Sequence, residues 1–282
     1  MDWFSSRRSI AIGLAASAAL ALAAPAASAL AAGRSPGAPT ALPVITVTMN
    51  GKSISVSGSL VSGAVKVVSK VSGEAAGNPT FVRLDPGVTV AQLLKAAAGD
   101  PNNIALIASI VFSPQANKGT SWAEVSLKPG NYVAVDLNPS GATPPLTTFT
   151  ISKSSSPARL PKPAASLNAI EFAFRGPSTL HDGELVRFGN RGFLVHMMVA
   201  ARGASEAKAR QIAALLKGGK DGKAEKLADG NYGFFGILTH DQAEQQIVRL
   251  RPGYWVIACF MDTQDGREHA QLGMDRVIHI VK

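Results

Sequence analysis

Apolar and polar residues alternate in the first part of the chain that is predicted to be structured. Apolar side chains occupy every second position of residues 45–49 and again of residues 54–57, the pattern of strands that bury one face. Thr89 and Gln92 then have the spacing of a capping box, which predicts a helix that starts at residue 90 and ends at Gly99.

The same kinds of pattern recur further along the chain. Ser205 is a predicted helix N-cap, an apolar stripe follows it, and Gly218 and Gly219 end the helix. Two apolar runs, residues 247–250 and 254–260, flank an Arg-Pro-Gly turn and predict a β-hairpin. Short strands, frequent turns and one inserted amphipathic helix indicate a β-sandwich in each half of a mainly β protein.

Two short motifs indicate that the halves are copies. Residues 93–95 and 215–217 share the sequence LLK at an offset of 122. LKPG at 127–130 matches LRPG at 250–253 at an offset of 123, one residue more. We therefore predict two tandem domains, 44–152 and 167–282. Residues 153–166 between them are rich in Ser, Pro and basic residues and are predicted to form a linker.

The N-terminus has the features of a secretory signal. Arg7 and Arg8 precede an apolar stretch, residues 10–24, and Ala27-Ser28-Ala29 forms an A-x-A cleavage site. We expect residues 1–29 to be a signal peptide, residues 30–43 a flexible spacer, and the protein to be periplasmic or secreted without a stable membrane span. The paired arginines leave both the general and the twin-arginine export routes open.

Composition and charge narrow the functional classes. Hydrophobic residues make up 46% and charged residues 17% of the 282 residues, which is typical of a globular chain. The formal net charge is +9, but the basic residues are scattered without a run of five, so no nucleic-acid partner is expected. Cys259 is the single cysteine, which excludes an intramolecular disulfide framework.

Four residues of the second half have the chemistry of a copper site. His196, Cys259, His269 and Met274 offer two imidazoles, a thiolate and a thioether. Trigonal His-His-Cys ligation with a weak axial Met is the ligand set of blue-copper centres, in which soft sulfur suits Cu(I) and imidazole tolerates Cu(II).

The order of these residues resembles that of the cupredoxins, the family of plastocyanin and azurin. An Asn-containing turn, Phe188 to Gly192, precedes the first His, and the strand 254–259 ends in Cys before a loop with His and then Met. The resemblance covers residues 167–282 and, more faintly, the first half. It implies two tandem cupredoxin-like Greek-key sandwiches, copper as the cofactor, Asn190 as a hydrogen-bonding tether, and a redox partner protein that exchanges electrons at the partly exposed edge of His269.

A metal-free interpretation stays open beside this one. Nine residues separate Cys259 from His269, against roughly two to four in most blue-copper loops. In the metal-free interpretation, Cys259 and Met274 are core residues, His196 is a buried strand residue, and His269 is a solvated loop residue. We expect His181 and His240 on the surface, and His279 is a minor candidate ligand.

The sequence therefore carries two functional hypotheses. The first is an exported, non-enzymatic copper protein for electron transfer or copper handling, whose first half is a ligand-free copy with Asp136 at the position of Cys259 and Thr80 or Phe81 at that of His196. The alternative is a non-catalytic extracytoplasmic binding module. Bonds from copper to nitrogen or sulfur are about 2 Å long, so the hypotheses differ in whether the donor atoms converge within about 4 Å.

Overall fold

The computed structural model describes residues 41–98, 100–137 and 144–282. The predicted signal peptide, most of the predicted spacer and Gly99 lie outside these residues. The first half contains the strands β1 (Val44–Met49), β2 (Ile54–Gly58), β3 (Gly63–Gly77), β4 (Pro79–Leu84), β5 (Ala108–Phe112), β6 (Ala116–Leu127), β7 (Gly130–Asp136) and β8 (Leu146–Ile151). The second half contains β9 (Ala165–Ile170), β10 (Ala173–Arg175), β11 (Thr179–His181), β12 (Leu185–Asn190), β13 (His196–Gly203), β14 (Tyr232–Leu238), β15 (Ala243–Ile247), β16 (Gly253–Ala258) and β17 (Asp275–Val281).

Helices are few and lie between strands. The α-helices of the described residues are α1 (Val90–Ala97), α2 (Glu206–Lys217) and α3 (Asp221–Leu227), and two 3₁₀ helices span Pro101–Leu106 and His269–Leu272. Both predicted starts are confirmed: Thr89 and Gln92 form the capping box of α1, and the Ser205 hydroxyl accepts the Lys208 amide at 3.2 Å. Among the described residues, no helix combines the length and apolar character needed to cross a membrane.

The two halves repeat one strand order. The smaller sheet of the first half runs β5-β4-β7-β8, and that of the second runs β14-β13-β16-β17 with β11 added at its edge. The larger sheet repeats β6-β3-β1-β2 as β15-β12-β9-β10. In each half the helical segment follows the second strand of the smaller sheet, so the predicted pair of tandem β-sandwiches is confirmed.

The larger sheets of the halves are continuous. β15 pairs antiparallel with β6, with Glu244 opposite Val125, and this ladder joins eight strands into one sheet. Residues between the halves are also held: the Ala64 amide donates to the carbonyl of Ala158 at 2.9 Å, and β9 begins at Ala165.

The hydrophobic core has two parts. One cluster fills the first sandwich between the two sheets, with Val47, Phe81 and Tyr132 fully buried. The other fills the second sandwich and also includes Leu93 of α1 and Ile104 of the first 3₁₀ helix. Elements of the first half therefore share the core that surrounds the candidate ligands.

The predicted hairpin at residues 247–260 is wrong. β15 belongs to the eight-stranded sheet and β16 to the five-stranded sheet, so the Pro252-Gly253 turn carries the chain from one layer to the other. The Trp255 indole N–H donates to the carbonyl of Arg251 at 2.9 Å and holds this crossing. In the first half the Tyr132 hydroxyl bonds the Lys128 carbonyl at 2.7 Å in the same way.

Candidate metal centre

His196 begins β13 and is fully buried. The Asn190 side chain fixes the turn that leads to it, since its amide donates to the carbonyls of Leu194 and Leu238, both at 2.8 Å, and its Oδ1 accepts the Gly192 amide at 2.9 Å. Leu238 is the cross-strand partner of His196. Asn190 thus ties the preceding turn to the strand beside the first candidate ligand, as a tether would.

Cys259 follows the last residue of β16 and is also fully buried. Its Sγ accepts a hydrogen bond from the Met197 amide at 3.4 Å. Its own amide donates to the Met274 carbonyl at 3.2 Å. Hydrogen bonds to sulfur from a neighbouring strand orient the thiol and stabilise its charge when it is deprotonated.

The long segment between Cys259 and His269 is folded back on itself. Asp262 and Glu268 form an antiparallel bridge, and the Thr263 amide donates to the Arg267 carbonyl at 2.8 Å. The extra residues are therefore a closed hairpin on the ligand loop. The His269 amide bonds the carbonyl of Met261 at 2.9 Å, which returns the imidazole to the side of Cys259.

The three donor atoms converge. The Nδ1 atoms of His196 and His269 are 3.1 Å apart, and the Sγ of Cys259 lies 3.4 Å from Nδ1 of His269 and 3.9 Å from Nδ1 of His196. A point equidistant from these atoms in their plane is about 2.0 Å from each, the length of a bond from such a metal to nitrogen or sulfur. The residues present fit a trigonally bound ion, and the interpretation of His269 as a solvated loop residue is wrong.

Burial sets the charge of the cluster. It lowers the pKa of His196 to about 3, with a further contribution from His269, and lowers the pKa of His269 to about 4 against an opposing effect of Asp100. Burial raises the pKa of the Cys259 thiol to about 12. Both imidazoles are therefore neutral and able to donate to a metal near pH 7, whereas the thiol must lose a proton.

The outer ring nitrogens of both imidazoles are buried without a hydrogen-bond partner in the described structure. An ideal Cβ built on Gly192 would lie 2.8 Å from Nε2 of His196, so the backbone of this glycine closes directly over the ring. The rings of Phe172 and His269 pack in a T-shaped arrangement with their centroids 5.2 Å apart. These contacts exclude water from the cluster.

Met274 belongs to the same network through its backbone. Its amide donates to the His269 carbonyl at 2.9 Å, its carbonyl accepts the Cys259 amide, and its side chain is fully buried. Its assignment as the axial ligand stays a prediction.

The remaining histidines lie apart from the cluster. In the part of the chain that the structure describes, His196, Cys259 and His269 form the only group of three or more His, Cys, Asp or Glu residues with donor atoms within 4.8 Å of one another. His181 contacts the Lys282 carbonyl, His240 contacts the Gly192 carbonyl, and His279 stacks on Tyr254. The distance is 3.1 Å for His181 and 2.8 Å for His240, each from Nδ1 to the carbonyl oxygen. The ring centroids of His279 and Tyr254 are 4.4 Å apart.

The equivalent place in the first half has different chemistry. Asp136 is the last residue of β7, and Cys259 directly follows β16. The Oδ1 of Asp136 accepts the Asn78 backbone amide at 2.8 Å, as the Cys259 thiol accepts the Met197 backbone amide. Pro79 lies opposite Asp136, and the register of β13 with β16 places Met198 opposite Cys259. Pro79 is therefore equivalent to Met198, and Gly77 is equivalent to His196. The expected alignment of Thr80 or Phe81 with His196 is wrong by three or four residues, because the segment between β4 and the matched helices differs in length.

Sequence reasoning missed three neighbours of the cluster: Gly192 and Phe172, which cover the imidazoles, and Asn102. Asn102 belongs to the first half, and its side chain contacts both ligand-bearing segments. No spacing within the second half could have indicated it.

Comparison with known proteins gives similarities in structure alone. No family model matches the chain, and no curated protein matches it. Auracyanin B has a TM-score of 0.28 at 15% identity over 44% of this chain and 93% of its own. Reduced auracyanin from Roseiflexus castenholzii has a TM-score of 0.27 at 16% identity, over 42% of this chain and 95% of its own. The copper-containing nitrite reductase from Thermus scotoductus has a TM-score of 0.26 at 10% identity, over 87% of this chain and 69% of its own.

Similarities of this size describe a likeness and assign no activity. The structure itself shows two tandem β-sandwiches of one strand order, with converged His-Cys-His donors that form a candidate metal centre in the second half.

The expectation that the chain is not an enzyme is corrected by these comparisons. Structures similar to it across both halves include a multicopper oxidase, copper nitrite reductases and a laccase, and these proteins are enzymes. The non-enzymatic class is therefore withdrawn.

Proposed function

We propose that the second half binds one copper ion for electron transfer, with His196, Cys259 and His269 as equatorial ligands and Met274 as a weak axial ligand. The observation that carries this proposal is the convergence of two Nδ1 atoms and one Sγ within 3.9 Å of one another in a buried cluster. A soft thiolate with two imidazoles suits copper in both of its oxidation states, so a bound ion would supply one-electron redox chemistry.

The protein's own groups prepare the site for this role. Asn190 and the ligand backbones fix the donors before any metal arrives, which keeps rearrangement small when the charge of the centre changes. Cys259 gives up its proton on binding, while the imidazoles are neutral already.

Electron entry at an exposed edge of His269 is not supported, because this residue is fully buried. A redox partner would instead contact Phe172, which is partly exposed and packs on His269.

Titration of the purified protein with Cu(II) tests the proposal. We expect an intense thiolate-to-copper absorption near 600 nm that saturates at about one copper per chain. Cys259→Ser should abolish the band, and Met274→Leu should shift it. A folded wild-type protein that stays colourless and binds no Cu(I) would refute the assignment.

We also propose that the protein is exported with cleavage after Ala29, supported by the apolar stretch at residues 10–24 and the A-x-A site. N-terminal sequencing of the exported protein should begin at Leu30. An exported protein that still begins at Met1 would contradict this.

A further inference from the structure

One side chain of the first half forms hydrogen bonds with both copper-ligand segments. Asn102 lies in the 3₁₀ helix Pro101–Leu106, and its Oδ1 accepts the Val195 amide at 3.2 Å. Its Nδ2 donates to the Asp262 carbonyl at 3.0 Å. Val195 directly precedes His196, and Asp262 is the third residue after Cys259, so one amide group spans both ligand-bearing segments.

Asn102 is itself held in place. Asp100 caps the 3₁₀ helix, and its Oδ1 accepts the Asn102 backbone amide at 2.8 Å and the side-chain Nδ2 at 2.9 Å. Ile104 of the same helix is buried in the core cluster of the second half. The side chain therefore points at the ligand segments from an anchored support.

The contact falls where the ligand loop needs support. Asp262 opens the closed hairpin that lengthens the segment between Cys259 and His269, and it pairs there with Glu268. A hydrogen bond at the base of this hairpin limits its movement relative to the turn before His196. Without the bond, the two segments are joined further along, by the pairing of β13 with β16 and by the hydrogen bond from the Met197 amide to Cys259.

We propose that Asn102 is a positioning residue through which the first half sets the geometry of the copper centre. This inference rests on the proposed function for its copper readout, but the holding of the segments is testable without metal. Asn102 acts on the ligands through Val195 and Asp262 and does not bind the ion.

The test compares Asn102→Ala with Asn103→Ala in the full chain. Asn103 is the neighbouring, exposed Asn of the same helix, so its variant is a matched control. Asn102→Ser, whose hydroxyl is too short to reach both partners, replaces the alanine variant if that variant does not fold.

Two readouts are measured. In the metal-free protein, reaction of the Cys259 thiol with a disulfide reagent should accelerate on the order of tenfold in the Asn102 variant, because two hydrogen bonds that resist local opening are lost. In the protein loaded with Cu(II), the thiolate-to-copper absorption and the electron paramagnetic resonance hyperfine splitting should change at unaltered copper stoichiometry. Asn103→Ala should match the wild type in both.

The outcomes separate this inference from the copper assignment. If the wild type has the copper absorption and Asn102→Ala matches it in spectrum and thiol reactivity, the positioning role is refuted and the copper site stands. If the wild type binds no copper, the proposed function fails, and the thiol readout still decides whether Asn102 holds the segments. Equal changes in both variants would also refute the specific role of Asn102.

Discussion

At the scale of single residues, burial determines the protonation state of the candidate ligands. His196 and His269 are neutral over the ordinary pH range because burial opposes the imidazolium form, and Cys259 is a protonated thiol for the same reason. The metal-free cluster therefore carries no charge.

This protonation state predicts that copper binding releases about one proton per ion between pH 6 and 8. With pKa values of about 3 and 4 the imidazoles have no proton to lose, and with a pKa of about 12 the thiol of Cys259 has one. Affinity should then rise roughly tenfold per pH unit. Calorimetric titration in two buffers of different ionisation enthalpy measures the number of protons released per copper ion.

Cys259→Ser is the control for the source of that proton and should bind copper much more weakly. Release of two or more protons by the wild type would mean that the imidazoles are charged in the metal-free protein. Release of none would mean that the thiol is already ionised or is not a ligand.

Residue chemistry allowed much of the site to be predicted. His196, Cys259 and His269 stood out because a cysteine with two histidines and a following methionine is an uncommon order of donors. The sequence analysis did not predict that the nine-residue segment closes into a hairpin through the Asp262–Glu268 bridge. Nor could it indicate Asn102, which is brought to the ligands by the fold alone.

At the scale of elements, local signals located helix starts better than strand pairing. Thr89 and Ser205 make capping bonds within a few residues, so their sequence pattern contains the interaction. The Pro252-Gly253 turn was misassigned to a hairpin because a turn motif does not specify whether the next strand stays in the same sheet. The chain passes from one sheet to the other there, and Val248 and Leu250 are buried along the crossing.

The junction between β6 and β15 carries a buried carboxyl group with a testable effect. Glu244 is fully buried, its Oε2 accepts the Ser113 amide at 2.7 Å, and burial raises its pKa well above the usual value of 4.5. The folded protein therefore keeps a proton that the unfolded chain releases. As pH rises above 4.5, this group destabilises the fold by up to about 1.4 kcal/mol per pH unit until its folded pKa is reached.

Glu244→Gln removes this dependence, because the amide is neutral at every pH. We expect the free energy of unfolding of the variant, relative to the wild type, to increase between pH 5 and pH 7 in urea titrations, by at most about 1.4 kcal/mol per pH unit. Glu206→Gln in α2, which loses an ion pair with Arg210, is the control, and its difference from the wild type should stay nearly constant over this pH range. A difference between Glu244→Gln and wild type that is constant with pH would show that Glu244 is ionised in the folded protein.

At the scale of the whole molecule, duplication and specialisation occur together. The two sandwiches repeat one strand order and join their larger sheets, yet the position of Cys259 holds Asp136 in the first half. The first half shares the core around the metal centre through α1 and the first 3₁₀ helix. The repeat was predictable from the LLK motif and from the two Pro-Gly motifs. The continuous sheet was not predictable, because it forms where the edge strand β6 of the first half pairs with the edge strand β15 of the second half.

X-ray diffraction at the copper absorption edge, from crystals of the protein loaded with one equivalent of copper, tests the central claim most directly. The anomalous map should show one strong peak per chain, about 2 Å from Nδ1 of His196, Nδ1 of His269 and Sγ of Cys259. A peak at another site, or bound copper whose peak lies more than about 4 Å from the Cys259 sulfur, would contradict the account.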